Sequence, residues 1–273
     1  MSNNSYFSER SGIEKKKLNL KDLIEVFIVI VNDLAKDKYF NDFYGFEDNW
    51  GKWNQGKASG NFEAYVLSEI GRRISDPFYC QTTPKYAEED VFDLIELLHK
   101  HIYLKDSYQQ EQLGIYDLEG IREYSQLKFR ERINDQISRY SKGWELQSNG
   151  EVRELLSEGF KPLIDEIAVY GNETEVDGRI RKAIRQFLKY GSDELTKKGA
   201  LLEIGGALER IRSELTEKVH TEEQAIFTLL NKFDLRHNNK IKEAGYDTEI
   251  FYPWMFYTFL STFDAFVKIR DRG

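Results

Sequence analysis

Apolar residues recur at three- and four-residue spacing over long stretches of this 273-residue chain, and this periodicity constrains its fold most strongly. In residues 19–38, Asn19 stands where a helix cap belongs, and the apolar positions after it are Leu23, Phe27, Ile30, Val31 and Leu34. Similar patterns predict helices over residues 61–74, 91–102, 117–140, 176–190, 193–217 and 221–232, and a last one starting near 249–253. Only four prolines are present to interrupt them. The sequence therefore predicts a mainly α fold made of multi-helix bundles.

One short stretch favours a β-hairpin instead. Residues 143–153 alternate weakly in polarity around Asn149-Gly150, a dipeptide typical of tight hairpin turns. We expect this to be the only sheet in the chain. The glycine- and proline-containing residues that follow predict a boundary between an N-terminal module, 1–158, and a helical C-terminal module, 159–273.

Residues 39–60 differ from the helical stretches because they combine seven aromatic side chains with four glycines. This composition indicates an ordered loop. The rings can anchor the loop on the helices beneath it, which we favour, or they can stack on a ligand.

Composition narrows the classes of function and location. The chain has 39 Lys and Arg against 47 Asp and Glu, a net charge of -8 and an isoelectric point near 5.3, which excludes unselective coating of nucleic acid by bulk charge. Its single cysteine, Cys80, excludes an intrachain disulfide framework and a thiolate metal cluster, and suits the cytoplasm. The longest apolar run, residues 23–31, is about half of the ~20 residues that a membrane span requires. We therefore expect a soluble cytoplasmic protein that does not bind membranes.

Two histidines near the end of the predicted helix at 91–102 raise the question of a metal site. Two residues apart on a helix, His99 and His101 point to different sides and cannot chelate one ion together. We expect them to complement the negative helix end when protonated. The sequence predicts neither a metal nor a cofactor.

A basic stripe runs along the predicted helix at 176–190. Arg181, Arg185 and Lys189 recur every four residues beside an apolar seam, a pattern that suits contacts with a phosphate backbone. The alternative is a solvated helix face neutralised by the nearby Glu173, Glu175 and Asp177.

A compact polar cluster follows the predicted helix at 221–232. Arg236 can grip a phosphate through two hydrogen bonds, and His237 can exchange protons near neutral pH. Asn238, Asn239 and Lys240 can orient and bind the substrate. These groups suffice for RNA cleavage without a metal, in which a base deprotonates the ribose 2′-hydroxyl and a cation stabilises the phosphorane. The alternative is structural, because asparagine tolerates left-handed geometry and a protonated histidine complements the end of a helix.

Several short motifs resemble bacterial proteins linked to abortive infection. Residues 6–12, Tyr-Phe-Ser-Glu-Arg-Ser-Gly, are similar to the opening of AbiJ-type N-terminal domains, and residues 91–98, Val-Phe-Asp-Leu-Ile-Glu-Leu-Leu, to a helix of the same family. Residues 200–212, 231–239 and 252–260 together resemble the helical domain of the HEPN superfamily (higher eukaryotes and prokaryotes nucleotide-binding).

The resemblance implies a defence or toxin-type ribonuclease on a helical bundle, often a dimer with its polar residues in a shared cleft. Arg236 and His237 are the residues that it assigns to catalysis. The chain departs from the family pattern, in which the histidine follows the arginine by about four to six residues, because His237 follows Arg236 directly and no histidine lies downstream.

Two hypotheses follow. The first is an antiphage or toxin-type protein that acts on RNA or a nucleotide through the Arg-His-Asn-Asn cluster, as a homodimer through its C-terminal helices and with an antitoxin or another defence-system partner. The second is a noncatalytic interaction module, in which the cluster ends a helix and the aromatic helix at the C-terminus, with its stripe from Tyr252 to Val267, mediates dimerisation.

Overall fold

A computed structural model describes residues 7, 11–12, 15–48, 50–58, 60–80, 82–156, 159–233 and 246–272. Within these residues there are eleven α-helices and two small antiparallel hairpins, which confirms the predicted mainly α fold. The chain forms two compact units, Met1–Leu155 and Leu156–Gly273. No helix of the described part is long and apolar enough to cross a lipid bilayer.

The N-terminal unit contains five helices, whose bounds are α1 Leu20–Lys36, α2 Phe62–Ile70, α3 Glu88–His101, α4 Ser107–Leu113 and α5 Leu118–Ile137. Helix α1 begins where its sequence predicts, because the Asn19 side chain accepts a hydrogen bond from the Asp22 N–H at 2.9 Å and the Asp22 carboxylate faces the Asn19 N–H in return. Helices α1, α3 and α5 pack on one another and bury residues such as Leu23, Leu94 and Phe129.

The C-terminal unit contains six helices, whose bounds are α6 Lys161–Asp165, α7 Gly178–Leu188, α8 Glu194–Arg210, α9 Arg212–Lys218, α10 His220–Lys232 and α11 Thr248–Arg270. A π-helical turn, Glu173–Asp177, precedes α7. The carboxylate of Asp177, which is 3% exposed, accepts the backbone N–H groups of Tyr170 and Gly171, both at 2.8 Å, and so fixes the entry into α7.

Both hairpins are short. The predicted one is confirmed, with β3 Trp144–Leu146 paired to β4 Val152–Glu154 and Gly150 in the left-handed region at φ 89°. The expectation that it would be the only sheet is wrong, since β1 Gly45–Glu47 pairs with β2 Trp53–Gln55 inside the stretch predicted as a loop. Gly45, at the start of β1, permits this pairing because its φ is +99° and a Cβ there would lie 2.6 Å from the Asn54 carbonyl oxygen of β2.

One predicted helix is divided in the structure, and the last helix contains a proline. The single helix expected over 193–217 is interrupted at Ile211, whose backbone leaves helical geometry at φ -109° and ψ 15°. The last helix begins at Thr248, close to the predicted start, and Pro253 lies inside it, where it removes one N–H from the backbone ladder.

The core of the C-terminal unit forms around α11. The residues of its predicted apolar stripe are each at most 2% exposed, and they are Tyr252, Met255, Phe256, Phe259, Leu260, Phe263 and Val267. Phe256 also stacks on Phe187 of α7, with ring centroids 4.0 Å apart. This stripe is therefore covered within its own unit and does not supply a dimer seam.

Candidate functional site

The polar cluster Arg236, His237, Asn238, Asn239 and Lys240 lies outside the described residues. The residues on either side of it are described and touch each other. The rings of Phe233, which follows α10, and Tyr246, which precedes α11, meet edge to face with centroids 4.7 Å apart, and the Tyr246 hydroxyl lies 3.4 Å from the Phe233 carbonyl oxygen. The two described residues that flank 234–245 are therefore in direct contact.

The basic stripe on α7 is exposed, and carboxylates balance Arg181 of the stripe and two other basic residues of the same helix. Arg181 pairs with Glu173, as the solvated-face interpretation predicts. Arg179 and Lys182 both bind Glu203 of α8, at 3.1 and 2.6 Å. The other two expected partners act elsewhere, since Glu175 pairs with Arg210 and Asp177 binds backbone N–H groups.

Of the remaining predicted stripe residues, Arg185 is exposed on the last turn of α7, and Lys189 is exposed immediately after it. The positive potential that the sequence suggests on α7 is reduced by the carboxylates of Glu173 and Glu203, because opposite charges at contact distance cancel at longer range.

The two histidines at the end of α3 lie on different sides of the helix, as their spacing predicts. His99 is 3% exposed and its Nε2 lies 3.2 Å from the Arg130 guanidinium, whereas the His101 ring stacks on Phe43 at 4.5 Å and bonds the Tyr65 hydroxyl at 3.0 Å. Within the described residues, no group of three His, Cys, Asp or Glu side chains could hold a metal ion.

The expectation that these histidines act as cations is wrong. Burial, and then the charge of Arg130, lower the pKa of His99 to about 4. Burial likewise lowers the pKa of His101 to about 4, followed by the charges of Lys57 and Lys100. Glu69 opposes this shift, and Arg122 makes the smallest contribution in the same direction as the lysines. Both imidazoles are therefore neutral at pH 7.

A cavity of about 520 Å³, the His99 cavity, opens beside α3. Carboxylates dominate its polar wall, which includes Glu69, Asp93, Glu96, His99, Lys100 and Glu151. Two of these acids form contacts within the protein. Asp93 pairs with Arg72 at 2.5 Å, and Glu96 accepts a hydrogen bond from the Val152 N–H at 2.7 Å. The hairpin turn closes this side, because a Cβ on Gly150 would come within 2.9 Å of the His99 Nδ1.

A second cavity of about 390 Å³, the His101 cavity, shares Lys100 and Arg122 with the first. Its polar wall is mainly basic and consists of Asp42, Lys57, Lys100, His101, Tyr103 and Arg122. Lys100 pairs with Glu69 at 2.5 Å, which raises the lysine pKa, and Asp42 pairs with Lys105. Neither Lys57 nor Arg122 forms an ion pair with any residue that the structure describes.

The sequence does not predict the His101 cavity because the basic residues and the histidine of its wall come from three separated parts of the chain. Lys57 follows β2, Lys100 and His101 end α3, and Arg122 lies in the first turns of α5. The local signal available was the Lys100-His101 pair at a helix end, which by itself indicates only a favourable interaction with the helix dipole.

Comparisons with protein-family models, with curated proteins and with solved structures found no match to this chain.

Proposed function

We propose that this chain is a cytoplasmic antiphage or toxin-type protein that cleaves RNA, or acts on a nucleotide, through Arg236 and His237. The observation that carries the proposal is the run Arg-His-Asn-Asn-Lys at 236–240, in a segment whose two flanks meet at the contact between Phe233 and Tyr246. Its resemblance to abortive-infection and HEPN proteins supports the same reading. An antitoxin or another defence-system protein would be its regulatory partner.

The chemistry that we propose requires no metal ion. His237 removes the proton of the ribose 2′-hydroxyl, and the resulting oxygen attacks the adjacent phosphorus. The bond from phosphorus to the 5′-oxygen then breaks, the leaving 5′-oxygen takes a proton from water, and the protonated His237 returns its proton to the solvent. Arg236 stabilises the charge that gathers on the phosphorane oxygens. The asparagines and Lys240 would position the strand, and Arg181, Arg185 and Lys189 would add weaker backbone contacts.

The test is to express the wild-type protein and His237→Ala in bacteria and to measure growth and the integrity of total RNA. We expect growth arrest and RNA cleavage for the wild type and neither for the variant. Cleavage by the purified wild-type protein should persist in the presence of a chelator. His220→Ala is the matched control, since His220 is an exposed histidine of the same unit and should retain activity. Equal RNA loss in the wild type and His237→Ala, or none in either, contradicts the proposal.

A second candidate is a noncatalytic interaction module, and one exposed surface favours it. Trp254 is 48% exposed and Phe160 is 40% exposed beside a groove of about 530 Å³. Because the buried stripe of α11 is not available for association, a homodimer through the C-terminal helices would use this face. Sedimentation of the wild type and Trp254→Ser tests it: a dimer that dissociates in the variant supports the candidate, and a wild-type monomer contradicts it.

A further inference from the structure

The His101 cavity holds more positive charge than its neighbours balance. Glu69 offsets Lys100, and Lys105 offsets Asp42, so each of these pairs is close to neutral. Lys57 and Arg122 remain without an ion-pair partner among the described residues. Two cations that face one concave space without a counter-charge repel each other, and binding of an anion removes this repulsion.

The size of the cavity limits the ligand. At about 390 Å³ it falls within the range typical of small-molecule sites, about 300–1,000 Å³. Nucleic-acid strands are instead bound along extended basic grooves that follow the backbone. The dimensions therefore favour a ligand of mononucleotide size over a strand.

The two unbalanced positive charges of the cavity indicate which anionic group the ligand carries. A phosphomonoester carries a charge of about -1.5 to -2 at neutral pH, which two cations balance, whereas a carboxylate carries only one negative charge. Tyr103 is a further polar residue of the wall, and an arginine can bind two phosphate oxygens at once.

The wall is held in place by contacts within the protein. The His101 ring lies nearly parallel to Phe43, at an angle of 8°, and its Nε2 bonds the Tyr65 hydroxyl. Tyr103 is fixed through its backbone N–H, which donates to the Tyr39 carbonyl at 2.9 Å. A preformed wall lowers the entropy that a ligand must lose on binding.

We propose that the His101 cavity binds the phosphate group of a small, mononucleotide-sized ligand, with Lys57 and Arg122 as its two charged contacts. All the residues that line this cavity belong to the N-terminal unit.

Calorimetric titration of the full chain at low ionic strength, with adenosine monophosphate, adenosine and inorganic phosphate as probes, tests this proposal. We expect adenosine monophosphate to bind, inorganic phosphate to bind more weakly and adenosine not to bind. Binding of adenosine as tight as that of the monophosphate overturns the role of the phosphate group. Equal affinity for inorganic phosphate and the monophosphate overturns the assignment to a mononucleotide-sized ligand. Absence of all binding up to about 10 mM ligand, where even weak sites fill, overturns the site.

Variants assign the charged contacts. Lys57→Gln and Arg122→Gln should each lower the affinity for adenosine monophosphate by about tenfold or more, because each removes a charge-assisted hydrogen bond. Lys21→Gln is the matched control, since it removes the same charge from a side chain that is 83% exposed and does not line the cavity. Circular dichroism verifies that each variant folds. Unchanged affinity in both cavity variants contradicts the proposal, and His237→Ala should leave this binding intact even if it abolishes RNA cleavage.

Discussion

The stripe on α7 and the His101 cavity both gather basic side chains, but they differ in how those charges are balanced. On α7, Arg179, Arg181 and Lys182 each contact a carboxylate. In the cavity, Lys57 and Arg122 have no ion-pair partner within the described residues. A density of lysines and arginines along the sequence is therefore a weaker indicator of an anion site than a cavity whose cations lack counter-charges.

The largest loss of stability is expected when a buried carboxylate loses the cation that pairs with it. The Arg212 Nε lies 2.7 Å from the Glu223 Oε1, whose side chain is 4% exposed, and the guanidinium covers the Phe227 ring at 4.1 Å. Arg212→Ala leaves Glu223 buried without its cation and should lower the free energy of unfolding by about 2–3 kcal/mol. Chemical denaturation measures this loss. Glu223→Gln in the same background should recover part of it, and no recovery would contradict the electrostatic explanation.

A loss of stability of comparable size is expected in acid, through His99. Its folded-state pKa of about 4 lies below the ordinary value of 6.5, so between these pH values the unfolded chain binds more protons than the folded one. Stability should therefore fall as the pH drops through this window, by up to about 3 kcal/mol for this residue. His101 adds to the same trend.

Denaturation of His99→Gln at several pH values separates the contribution of His99 from a general loss of packing. The variant should show a shallower dependence of stability on pH between 6.5 and 4, whatever its stability at pH 7. His220→Gln, at an exposed position, should keep the wild-type slope. An unchanged slope in His99→Gln would refute the assignment.

On the α7 stripe, a substitution should have little effect. Arg181 and Glu173 are 48% and 73% exposed, and such surface pairs contribute about 0–1 kcal/mol. Arg181→Gln should change the free energy of unfolding by less than about 0.5 kcal/mol and leave adenosine monophosphate binding as in the wild type. A clear loss of that binding would show that the stripe, and not the cavity, holds the phosphate site.

The smallest change in stability is expected for Arg122→Gln. This substitution should leave the stability of the protein unchanged or raise it slightly. This substitution removes one of the like charges around His101 without breaking an ion pair among the described residues. Thermal unfolding should therefore show an equal or slightly higher midpoint. A lowered midpoint would mean that Arg122 supports the fold, which would weaken the case for a binding role.

Local patterns in the sequence predicted those elements that local interactions determine. Asn19 marks the start of α1, and Asn149-Gly150 forms the turn between β3 and β4. The β1–β2 hairpin was missed because its strands are three residues long and do not alternate in polarity. The break at Ile211 was missed because the apolar spacing continues across it.

The His101 cavity was beyond local patterns for a different reason. Its basic residues are far apart in the sequence and meet only in the packed unit; they are Lys57, Lys100 and Arg122. The same holds for Glu69, which balances Lys100, and for Lys105, which balances Asp42. The counter-charges on α7 were predicted only in part, since Glu203 reaches Arg179 and Lys182 from the next helix.

The difference between the α7 stripe and the His101 cavity is tested most directly by the pKa of His101, measured by NMR with and without adenosine monophosphate. The His101→Gln variant assigns the signal. Burial is the main cause that lowers the pKa of this imidazole, and the charges of Lys57, Lys100 and Arg122 lower it further against that of Glu69. The Tyr65 hydroxyl bonds its Nε2. We expect a pKa of about 4 in the free protein. This pKa should rise when the phosphate binds, because a nearby anion favours the protonated ring. A value near 6.5 in the free protein, or one that the ligand leaves unchanged while it binds, would contradict the account.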